Sequence, residues 1–203
     1  SEATLSPWPV GADAGTWSED PRDTWILCFH AMAAVDMGRI AEARRELELV
    51  VESAQRLGAL EVLCIAWGFG PVVAQISGVG ADLALARARR AVDLAEKLES
   101  PLSTYFARWG LGVAHLVVED WPEAERLLRS SLDGARKSRV GLLGEAGMLA
   151  NLAEAVAGQG DLEGGIALAR EAIAVGRERG TALFECLGLL TFARLGLFAG
   201  GED

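Results

Sequence analysis

The sequence predicts an all-α fold, a right-handed α-α superhelical solenoid of about four helix pairs plus a terminal helix. Three observations predict it. First, the chain repeats itself: Val51, Val92, Leu132 and Ile173 fall in register at steps of 41, 40 and 41 residues. Second, that register aligns small residues, Ala43 with Ala84, Ala124 and Gly165, and Ala54 with Ala95, Ala135 and Gly176. A small residue at fixed points of successive helices means that neighbouring backbones approach closely. Third, the composition forms helices: 51% of residues are hydrophobic, only 6% are aromatic, and Ala, Leu, Arg and Glu abound.

In chain order, residues 1–20 form an irregular segment with Pro, Gly, Trp8 and Trp17. One repeat domain follows over 21–200, divided at 21–58, 59–99, 100–138, 139–180 and a terminal helix over 181–200. Asp20-Pro21 and Ser100-Pro101 each put a capping side chain before a proline at the first helical position. The inner helices are apolar: Asp23–Met37, Leu60–Ser77, Leu102–Val118 and Val140–Ala157. The outer helices, such as GRIAEARRELELVVESAQRLG from Gly38, carry apolar residues at spacings of three and four with Arg and Glu between. Gly58 and Gly180 suit helix ends, where a left-handed residue is wanted. Ala182–Ala199 is a fifth inner-type helix.

Val62 to Ala81 is twenty residues without a charge, the length of a membrane span. Pro71, Gln75, Ser77 and several glycines lie inside it, and in register it is an inner helix plus its turn. The glycines and the turn are expected to shorten the helical part to about fifteen residues, too few to cross roughly 30 Å at 1.5 Å per residue. Pro71 is expected to interrupt the helix. No membrane role is expected.

The net charge of −10 argues against direct nucleic-acid binding, since the cluster at Arg87, Arg89 and Arg90 shares its helix with acids. Cys28, Cys64 and Cys186 lie far apart in apolar stretches, which predicts buried free thiols in a reducing cytoplasm. GFGPVV at Gly68 lacks a third glycine and a preceding strand. His30 and His115 fall in different repeats without His or Cys partners at ligand spacing. Glu42 and Glu46 read as a solvated ladder beside arginines on an outer helix. No catalytic set, metal or cofactor is expected.

NLAEAVAGQGDLEGGIALAREAI, from Asn151, resembles a tetratricopeptide repeat of the longer, roughly forty-residue kind. Leu149, Leu152-Ala153, Gly160-Asp161, Gly165, Ile173 and Gly176 take that family's places. The third repeat matches through Leu111-Gly112, Asp120, Trp121, Ala124, Leu132 and Ala135, the first through Leu27, Ala31, Gly38, Ala43 and Ala54. The second is weakest, with Val72 and Gly80 in place of the usual small residue and Asp. The resemblance covers roughly residues 22 to 200.

It implies that inner helices line a concave groove. Carried over by register, the groove residues are Trp25, Cys28 and Met32, then Ala66, Phe69 and Val73, then Phe106, Trp109 and Val113, and finally Gly147, Ala150, Asn151 and Glu154. Arrays that clamp a partner's C-terminal carboxylate use Lys and Asn there; this chain has Cys, Phe, Trp and Ala, so a carboxylate clamp is not expected. An oily groove invites a cover. Three covers fit: the N-terminal segment with Trp8 and Trp17, a partner (another copy or an adjacent domain of a longer chain), or a small apolar or sugar-like ligand.

The degenerate repeats look like those at the sensor end of STAND-class, MalT-like bacterial signalling regulators. That likeness implies a non-catalytic, cytoplasmic protein-interaction module in signalling or transcription regulation. Two alternatives stand beside it. One is an inducer pocket built from Trp25, Phe69, Phe106 and Trp109, and the other a homodimer through the apolar terminal helix.

Overall fold

A computed structural model describes residues 20–78 and 81–199. Trp8 and Trp17, expected as a groove cover, lie outside the described residues. Among the described residues the chain is nine α-helices without a strand, stacked as a right-handed superhelical solenoid. In order these are α1 (Pro21–Asp36), α2 (Ile40–Leu57), α3 (Leu60–Ser77), α4 (Ala81–Leu98), α5 (Pro101–Val117), α6 (Trp121–Ser138), α7 (Glu145–Gly158), α8 (Leu162–Arg179) and α9 (Ala182–Ala199).

Local chemistry sets the helix ends. The Asp20 carboxylate accepts from the Arg22 backbone N–H at 2.9 Å, and Pro21 follows at the first helical position. Ser100 caps α5 in the same way, ahead of Pro101. Gly58 and Gly180 close α2 and α8 with φ of 68° and 67°, a conformation that costs a side chain free energy.

Packing then follows the register. Ala43, Ala54, Ala84, Ala95, Ala124 and Ala135 are all buried between layers. Where the array uses Gly176, a Cβ would stand 2.9 Å from Glu185 Cα, so α8 and α9 approach closely there. The tightest approach lies between α3 and α5. A Cβ on Gly110 would fall 1.9 Å from the Gly68 carbonyl oxygen. Such contact leaves no room for a larger residue, and it explains why Gly68 sits inside the uncharged stretch.

That stretch departs from expectation in one respect. Helix α3 runs unbroken through Pro71 for 18 residues. By length and composition it could cross a membrane, yet 56% of it is buried inside the protein, where α2, α4 and α5 pack on it. A core helix flanked on several sides must be apolar all round. Proline is accommodated because packing on several sides holds the helix together where one backbone hydrogen bond is missing.

Two further differences appear. The fourth inner helix begins at Glu145, after a 3₁₀ turn at Leu142–Gly144, and not at Val140. Arg139 and Gly141 both take left-handed φ there (55° and 62°), which delays the helix. Cys28 and Cys64 are buried free thiols as expected, but Cys186 is exposed on α9, because none of the other described helices covers that face.

The inner helices do more than stack. Helix α1 approaches both α3 and α9, and α7 packs on α9, so the inner wall curls until its first and last helices meet.

Candidate functional site

The curl encloses an apolar cleft of about 440 Å³ on the inner-helix side. Its floor is a chain of rings from three helices. Phe69 of α3 meets Phe106 edge-on at 5.9 Å and Trp109 at 6.0 Å. Tyr105 lies 4.7 Å from Phe106, and Phe184 of α9 lies 5.9 Å from Trp109. Tilted and edge-to-face geometries of this kind are favoured for ring pairs. The lip is formed by Phe29 and Leu143, which are 56% and 63% exposed. Asp36 and Arg139 bring one charge of each sign to its lining.

Of the residues expected in the groove, Met32, Phe69, Phe106 and Trp109 line this cleft. Trp25 is half-buried and stacks on Phe29 at 5.6 Å, behind the lip. Cys28, Val73 and Val113 are enclosed in the core, as are Ala66, Ala150 and Gly147. The reason is the curl: each inner helix packs on neighbours over most of its circumference, and only a narrow stripe remains free.

Asn151 is likewise buried, holding Trp109 and Gln75. Glu154 sits between α7 and α9, where Arg194 donates to it at 2.9 Å and Thr191 at 3.3 Å. Burial pushes the Glu154 carboxyl above its usual range, and Arg194 offsets part of that shift.

Sequence reasoning missed Phe29, Tyr105, Leu143 and Phe184. Tyr105 is next to Phe106 and so lay off the predicted face. Leu143 belongs to a turn outside the repeat register. The turn shapes one wall of the cleft, and its glycines are required: a Cβ on Gly141 would stand 2.3 Å from the Tyr105 ring, and one on Gly144 would stand 2.2 Å from its hydroxyl. Tyr105 itself is 2% exposed. Its burial, with a smaller push from Glu145, raises the phenol well above its ordinary value.

Two charged clusters also escaped the sequence. Glu46 is not part of a solvated ladder. It is 7% exposed, turned between α1 and α2, and its carboxylate lies 2.8 Å from His30 Nδ1. With Glu42 these groups put three ligand atoms within 4.8 Å of one another, a spacing that could hold a metal ion. Glu42, however, already pairs with Arg39, a fixed positive charge beside that position. The second cluster is Glu145, 4% exposed, which pairs with both Arg136 and Arg179.

No family model matches the chain, and no curated protein matches it in sequence. Solved structures do match it in shape. One is a Rap protein complexed with competence and sporulation factor, at a TM-score of 0.70 and 14% identity, over 87% of this chain and 49% of that one. This chain therefore spans about half the length of the Rap protein. Another is the set of nearly identical TPR-like repeats described as a putative kinesin light chain of Podosopora anserina. It has a TM-score of 0.58 and 18% identity, over 91% of this chain and 90% of that one. A single-substitution variant of that same protein matches at 0.58 and 17% identity, over 92% and 91%. At such identities the likeness is one of fold, and in fold this chain is a solenoid of the tetratricopeptide type.

Proposed function

We propose that the chain is a non-catalytic interaction and sensor module of a cytoplasmic bacterial regulator, and that it receives a segment of a partner protein along its inner-helix face. The observation that carries this reading is the cleft: a ring-lined hollow whose lip exposes Phe29 and Leu143. Large apolar groups left in water at a concave site mark a place of contact. The shape match to a Rap protein solved with competence and sporulation factor supports the same reading.

The test is a displayed library of short random segments, panned against the wild-type chain. Recovered segments should carry large apolar residues, and Leu143→Asp and Phe29→Asp should each weaken them about tenfold or more. Both sites are exposed, so the thermal midpoint should hardly move. Segments that bind both variants as tightly as wild type would refute the reading.

A second reading, self-association, is favoured by α9. Its outer face exposes Leu189, Leu190, Leu197 and Phe198. If copies pair there, light scattering gives twice the chain mass and Leu190→Glu returns a monomer. A wild-type chain that scatters as a monomer at high concentration ends that reading.

A further inference from the structure

Resting on the partner-segment reading, we infer what that segment carries: a large apolar anchor with a basic residue on one side of it and an acidic residue on the other. The anchor sits on the rings of the cleft floor, the base meets Asp36 and the acid meets Arg139. Among the described residues these are the two charged members of the lining, Asp36 at the end of α1 and Arg139 just after α6. Neither forms an ion pair or a side-chain hydrogen bond with a described residue, and they do not pair with each other. The cleft therefore presents two open charges of opposite sign from different walls.

Local structure gains from neither charge. Asp36 is the last residue of α1, at the negative end of the helix dipole, and no basic residue in that turn offsets it. Partial burial also lifts its carboxyl above the usual range. Arg139 closes α6 in the left-handed region, with φ of 55°, although Arg136 and Lys137 already bring positive charge to that helix end. At the matching places of the first and fourth repeats stand Gly58 and Gly180, which take this conformation without strain. Glu99 shares the conformation in the second repeat but lines a different hollow. Two unpaired charges at unfavourable positions beside an apolar hollow are explained if the occupant brings their counterparts. Such pairs select a partner and fix its orientation more than they add affinity. The floor sets the anchor: Phe69, Phe106, Trp109 and Phe184 offer ring edges and faces that suit a large apolar side chain. A volume of about 440 Å³ lies toward the small end of ligand pockets, so it takes a few side chains of a segment.

The experiment titrates the full chain by calorimetry with peptides blocked at both ends that share a Trp-Leu core. One carries Lys before the core and Glu after it, one the reverse order, one Glu on both sides and one Gln on both sides. Wild type should bind the better Lys-and-Glu peptide about fourfold or more tighter than the Gln peptide, roughly twofold or more per ion pair. The margin should shrink at high salt. Asp36→Lys should bind the two-Glu peptide tightest. Arg139→Gly should lose the preference for Glu while its thermal midpoint holds or rises, which a merely structural arginine would not show. Preferences unchanged in both variants would overturn the inference. So would a wild type that binds the Gln peptide as tightly as the charged ones; if Leu143→Asp still weakens that peptide, the partner-segment reading stands alone. No binding of any peptide, with or without residues 1–19, overturns both. Binding seen only after residues 1–19 are deleted gives the cleft to the chain's own N-terminal segment, and binding that weakens as the protein is concentrated gives it to a second copy. Either result also overturns the assignment.

Discussion

The indole Nε1 of Trp109 donates to the side-chain oxygen of Asn151 at 3.1 Å, and the Asn151 amide donates onward to Gln75 at 3.0 Å. These two bonds tie α5 to α7 and α7 back to α3, across the inner wall behind the cleft. Both Trp109 and Asn151 are 1% exposed, so each bond replaces water that neither group can reach. The tie fixes the indole that forms the cleft floor.

Replacing Asn151 by Leu should therefore leave the Trp109 N–H buried and unpaired. The expected loss is roughly 1–3 kcal/mol. In urea, the midpoint should fall while the slope stays constant. A variant as stable as wild type would show that the bond contributes nothing.

Two glycines in adjacent inner helices should respond oppositely to alanine. At Gly110 the new methyl would meet the Gly68 carbonyl oxygen at 1.9 Å, forcing α3 and α5 apart, at a cost of about 3 kcal/mol or more. At Gly70 a Cβ meets nothing within 4 Å, so Gly70→Ala should stabilise α3 by about 0.5–1 kcal/mol through reduced chain entropy. Thermal midpoints moving in opposite directions would confirm the contact.

The ion pairs differ in weight. Glu145 is buried between Arg136 and Arg179, and its removal strands two arginines that are 44% and 30% exposed. Glu145→Ala should cost about 2–3 kcal/mol, less than a fully buried pair because solvent screens both arginines. Arg126, 64% exposed and paired with Glu123, should tolerate alanine within about 0.5 kcal/mol. Equal losses at the two sites would contradict this ordering.

The thiols give a chemical and a pH readout. Cys186 should react at once with a disulfide reagent, whereas Cys28 and Cys64 should wait for unfolding. Burial pushes the Cys28 thiol up to about 12 and Cys64 up to about 11, from 9.0 in an open chain. Below pH 9 both states keep these protons. Above it the unfolded chain ionises first, so stability should fall with rising pH by up to about 1.4 kcal/mol per unit per thiol. Cys28→Val should show a shallower decline than wild type between pH 9 and 11. An identical slope would dissociate Cys28 from the alkaline loss.

The sequence by itself determined the repeat and its helices. The 41, 40 and 41-residue steps, the recurring small residues and the capped prolines all reappear as layers, close approaches and helix starts. These are local or nearest-neighbour properties, and a helical period plus steric size is enough to specify them. Met32, Phe69, Phe106 and Trp109 were legible as cleft residues for the same reason, since they share one stripe of successive helices.

What only the tertiary structure decided is which part of that stripe stays open. Small rotations between successive helix pairs accumulate until α1 meets α9. Packing of each inner helix on its neighbours buries Cys28, Val73 and Val113, the curl brings Phe184 of α9 to the floor beside Trp109, and Glu46 turns inward to His30 within the first helix pair. The 3₁₀ turn at Leu142–Gly144 falls outside the period altogether, yet it supplies the lip and covers Tyr105. A periodic pattern reports each helix's own faces, whereas the cleft depends on the sum of many small angles that no single repeat encodes.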